Sequence, residues 1–86
     1  MPSVEEIKLY LAGSVQRTEA AATGIRGVLD RLDEALAQLR LTTVGTMHPS
    51  AVQALVRLEE CRNKLVEAET LARGAIDATD RYRAII

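Results

Sequence analysis

Apolar residues in the first half of the chain recur in alternating steps of three and four. From Val4 they run through Ile7, Leu11, Ser14, Thr18, Ala21, Ile25, Val28, Leu32, Ala35, Leu39 and Thr42. That is the 3.5-residue repeat of a helix packed along its length. The second half repeats the pattern through Ala51, Ala54, Leu58, Cys61, Leu65, Ala68, Ala72, Ala75, Thr79, Tyr82 and Ile86. Between them, stop and start signals stand back to back. Gly45 suits a left-handed C-terminal cap, and Pro49 suits the first turn of a new helix. Ser3 with Glu6 forms a capping box for the first helix, and Ser50 with Gln53 offers one for the second. The pattern predicts helix 1 over about 4–43, a turn over 44–48 and helix 2 over about 49–82. The fold class is all-α: an antiparallel helical hairpin of two long helices in a single domain, 1–86.

Folding back at the turn sets the two seams against each other, with Leu39 facing Ala54, Leu32 facing Cys61, Val28 facing Leu65 and Leu11 facing Tyr82. Large side chains mostly meet small ones, as an interdigitated core requires. Gly13, Gly24 and Gly27 lie within helix 1, where each costs roughly 1 kcal/mol relative to Ala. The seam keeps phase through them, so the reading is one unbroken helix, with close packing as the reason for small residues. The hydroxyls of Ser14, Thr18 and Thr79 interrupt the apolar seam and read as groups bonding the carbonyl one turn back.

Composition narrows the chemistry. In 86 residues there is one cysteine, Cys61, and one histidine, His48, so an internal disulfide is excluded and the usual Cys and His zinc site is out of reach. Eleven basic and 12 acidic residues, net −1, are interleaved along both helices, and there are two Tyr and no Phe or Trp. This pattern speaks against nucleic-acid binding, which calls for a basic face or stacking aromatics. No apolar run approaches 18 residues, so no membrane span is expected. The Ser3-Val4-Glu5-Glu6 start is unlike a cleaved signal peptide, and a cytoplasmic location is the default expectation.

Cys61 falls on the helix 2 seam facing Leu32, where a buried thiol is a small apolar filler. His48 sits in the turn, and more than three turns of helix separate it from Cys61, so no nucleophile and base come together. The runs Asp30-Arg31-Leu32-Asp33-Glu34 and Arg57-Leu58-Glu59-Glu60-Cys61-Arg62 alternate in sign as solvated helix faces do. The stretch Ile25-Arg26-Gly27-Val28-Leu29-Asp30-Arg31-Leu32-Asp33-Glu34-Ala35-Leu36-Ala37-Gln38-Leu39 resembles the first helix of all-helical chorismate mutases. That resemblance implies a cationic substrate contact at Arg26 alone, since the further basic residues of the family's helix have no counterpart. The expectation is a protein without catalytic residues, cofactor or metal.

As a whole, the Ala- and Leu-rich hairpin resembles the small Trp-X-Gly proteins exported by type VII secretion systems of actinobacteria, which would imply export without a cleaved signal peptide. Gly45 is the only residue of that turn signature present, and Tyr82 lacks the acidic residue four places on. The leading expectation is a non-enzymatic protein–protein interaction module. Val15, Ala22, Leu29 and Leu36 form a stripe one position after the helix 1 seam, and Val52, Leu55, Val56, Val66, Leu71 and Ile76 lie off the helix 2 seam. Two helices cannot shield both sets from water. These ten residues are the candidate partner-binding site, predicting a homodimer, as a four-helix bundle, or the binding of a heterologous protein.

Overall fold

The computed structural model describes residues 1–46 and 48–86 and consists of two helices, α1 (Val4–Thr43) and α2 (Pro49–Ile85). They pack against each other along their length as an antiparallel hairpin measuring 63 × 19 × 15 Å. Helix α1 is continuous through Thr23 and Gly24. Helix α2 continues three residues beyond the expected end at Tyr82. Of the expected turn, Met47 lies outside the described residues.

The caps explain the boundaries. Ser3 Oγ accepts from the Glu6 backbone N–H at 3.2 Å, and Glu5 and Glu6 face the positive end of the helix dipole. At the other end Gly45 takes a φ of 79°, the left-handed conformation that a residue without Cβ adopts most cheaply. Helix α2 is capped by His48, whose Nδ1 accepts from the Ser50 backbone N–H at 3.1 Å, with Pro49 at the first helical position. The expected Ser50 and Gln53 capping box is therefore corrected. Ser50 already lies inside the helix, and the side chain that reaches its N–H comes from the turn.

The packed seam also differs from the expected one, by a single residue in one column of each helix. Val15, Ala22, Leu29 and Leu36 of α1 and Ile76 of α2 are the buried core. With them, half-buried, go Leu11, Thr18, Ile25, Leu32 and Leu39 of α1 and Ala51, Leu55, Leu58, Leu65, Ala72 and Thr79 of α2. One column of each expected seam survives, and the other is displaced by one position. On α1 this exchanges Ser14, Ala21, Val28 and Ala35 for Val15, Ala22, Leu29 and Leu36, which bury more apolar area. Cys61 is correspondingly exposed and does not pack as a core thiol against Leu32. Gly13, Gly24, Gly27 and Gly74 have open space where a Cβ would stand, so close packing does not account for the helix 1 glycines.

Candidate interaction surface

Heptad letters follow from the observed contact. The a column holds Val15, Ala22, Leu29 and Leu36 on α1 and Leu55, Arg62, Glu69, Ile76 and Arg83 on α2. The d column holds Leu11, Thr18, Ile25, Leu32 and Leu39, and on α2 Ala51, Leu58, Leu65, Ala72 and Thr79. In an antiparallel pair the e columns meet along one flank of this seam and the g columns along the other. The hairpin thus has two broad faces of different chemistry.

One face, built from the e and b columns, is charged. Three ion pairs cross the hairpin along it: Arg26 with Glu69 at 3.7 Å, Asp33 with Arg62, and Arg40 with Glu59 at 3.2 Å. Arg73 also reaches Glu69 at 3.4 Å, so this carboxylate, only 15% exposed, lies between two arginines. The Asp33 carboxyl is held below its ordinary value of 3.8, chiefly by the hydrogen bond from Arg62, which itself is pushed up by the same bond. Arg26, the residue that the mutase-like stretch singles out, belongs to this set.

The opposite face, built from the g and c columns and the outer sides of d, is different. Its central columns are Ala21, Val28 and Ala35 of α1 and Ala54, Cys61, Ala68 and Ala75 of α2, with Tyr82 near the open end. All 12 acidic residues stand at a, b, e or f positions, so this face carries none. Its only charges are Arg17, Arg31, Arg57 and Lys64, at the c positions on its edges. Thr18 and Thr79 donate their hydroxyls to the carbonyls of Ser14 and Ala75, both at 2.8 Å, which satisfies both groups within their own helices. Val28 is 41% exposed and Leu71 74% exposed, and the d-column leucines lying between the two helices stay half-buried.

The ten residues expected to bind a partner are divided by this geometry. Val15, Ala22, Leu29, Leu36 and Ile76 are buried within the hairpin itself, and Leu55 is half-buried beside them. They cannot form a free stripe while the hairpin stays intact, because their apolar area is already covered by the other helix. Val52, Val56 and Val66 are exposed on the charged face, and only Leu71 belongs to the uncharged one. Sequence reasoning placed Ala21, Val28, Ala54, Cys61 and Ala75 in the core, whereas they are exposed on this face, and Ala35 and Ala68 beside them are half-buried. The signal was present in the charge pattern, since a column free of acids on both helices marks a surface distinct from the solvated one.

Among the described residues no group of three or more His, Cys, Asp or Glu could hold a metal ion, and no helix is long and apolar enough to cross a membrane. The chain matches no protein family, no curated protein and no solved structure. Its chemistry is therefore argued from its own surface.

Proposed function

We propose that this hairpin is a non-enzymatic protein–protein interaction module whose first partner is a second copy of itself, giving a four-helix bundle. The observation that carries this reading is the amount of surface left uncovered. The hairpin exposes 6463 Å². A compact monomer of 9.4 kDa would expose about 5,000 Å², so the excess is about 1,500 Å². Its radius of gyration, 19.3 Å, likewise exceeds the about 12 Å of a compact chain of this length. A stable interface hides about 800 Å² on each partner, so pairing two hairpins along a broad face would recover the burial that one lacks. Sedimentation equilibrium tests this reading. A mass of twice 9.4 kDa at high micromolar concentration is the expected result, and a mass of 9.4 kDa throughout would refute self-association.

A further inference from the structure

We infer that the second copy packs on the uncharged face, so that the g columns and the outer sides of the d columns become the centre of the bundle. This rests on the self-association proposed above and names the surface that carries it. Three observations favour this face over the charged one. Its central columns hold no charged side chain, only the thiol of Cys61 and, near the open end, the phenol of Tyr82, whereas the other face would have to desolvate the ion pairs of Glu69, Arg62 and Arg40, at a cost that close packing need not repay. Second, Ile25, Leu32, Leu58 and Leu65 are only half-buried by the hairpin, and covering this face would complete their burial.

The third observation is charge, and it selects the occupant. Three of the four basic residues at the edges have an acidic one three positions later, on the outer side: Arg31 with Glu34, Arg57 with Glu60, and Lys64 with Glu67, whereas Arg17 has Ala20 there. The last of these pairs is formed, at 3.8 Å. The edge is thus a row of basic groups backed by a row of acidic ones. Turned over by a two-fold axis, such an edge meets itself with opposite charges within reach, as an isologous interface requires. A chain of net charge −1 has little overall to draw it to an anionic bilayer. Long Arg and Lys stems can also extend outward to water while their methylenes cover the seam.

Cys61 provides a native probe, because it is exposed in the single hairpin and covered in this bundle. The experiment measures its alkylation by a maleimide across dilution, with the mass determined on the same samples. Alkylation is expected to slow by about tenfold or more as the chain passes from monomer to dimer, since only the free hairpin presents the thiol. Val28→Glu with Ala75→Glu should leave a helical protein of 9.4 kDa whose thiol reacts at one rate at every concentration. Val56→Glu, on the charged face, should dimerise as the unmodified chain does. A dimer whose Cys61 reacts as fast as that of the monomer would overturn the choice of face while leaving self-association standing. A chain that stays monomeric would overturn both.

Discussion

Asp33 and Arg62 join the two helices through a pair of parallel hydrogen bonds, from Nε to Oδ1 and from Nη2 to Oδ2, the second at 3.4 Å. One helical repeat away, Arg26 meets Glu69 with the charges reversed. Seven residues separate Asp33 from Arg26 on α1, and seven separate Arg62 from Glu69 on α2. The alternation favours this direction and register together: a one-heptad slip in one sense would set Asp33 against Glu69, a slip in the other would set Arg26 against Arg62, and parallel helices would make both like-charge contacts at once.

The Asp33 carboxyl is depressed from 3.8, first by the Arg62 hydrogen bond, which outweighs the opposing desolvation, and then in smaller measure by the charges of Arg62, Arg26 and Arg40. A depressed carboxyl stabilises the fold above its unfolded value, and the contribution is lost as pH falls through the lower folded value. Urea unfolding from neutral pH down to about pH 2 should therefore show the native chain losing more stability below 3.8 than Asp33→Asn does. The effect is small because both groups are solvent-exposed. Parallel acid profiles for the two proteins would show that the pair contributes nothing.

Leu29 and Leu36 are each 1% exposed, whereas Val28, one position away, is 41% exposed. Leu29→Ala and Leu36→Ala should each cost about 2–5 kcal/mol, the range for emptying a packed apolar site. At concentrations where the chain is monomeric, Val28→Ala should cost less than about 1 kcal/mol, as surface changes do. Denaturant midpoints on the three variants check this. Equal losses at Val28 and Leu29 would place the seam where the sequence pattern first suggests it.

The hairpin itself was legible from the sequence because its signals are local. Ser3 with Glu6, Gly45 and Pro49 each state a boundary through their own backbone chemistry, and the 3.5-residue repeat states that the helices pack along their length. The choice of seam column was not legible in the same way. On α2 the true a column contains Arg62, Glu69 and Arg83, which read as solvent residues, while the adjacent column of Ala54, Cys61, Ala68 and Ala75 reads as core. Their charges are tolerated there because Arg62 and Glu69 find partners on the other helix, a fact that no single-helix pattern contains. A helix with three apolar columns has two choices of seam, and the leucines of α1 decide between them.

Gly27 and Gly74 sit at the outer edges of their helices, and a Cβ at either would touch nothing. Neither has a φ that would strain a larger residue. Gly27→Ala and Gly74→Ala should each stabilise the chain by about 0.5–1 kcal/mol, through the entropy of the unfolded backbone and better helix propensity. Thermal melts of the single and double variants measure it. A fall in stability at Gly27 would mean that something other than solvent packs against that edge.

The turn depends on two side-chain choices made three residues apart. Gly45 holds a φ of 79°, so Gly45→Ala should cost about 1–2 kcal/mol, the penalty of placing a Cβ in the left-handed region. His48 Nδ1 satisfies the Ser50 N–H at 3.1 Å, and His48→Ala should cost about 0.5–2 kcal/mol as that donor loses its acceptor. His48→Asn supplies an oxygen at the same cap position and should recover most of the loss, which separates capping from any other role of the ring. Denaturation of the three variants at one pH decides the matter. If His48→Ala unfolds at the same midpoint as the native chain, the start of α2 rests on Pro49 and its fixed φ, not on the imidazole.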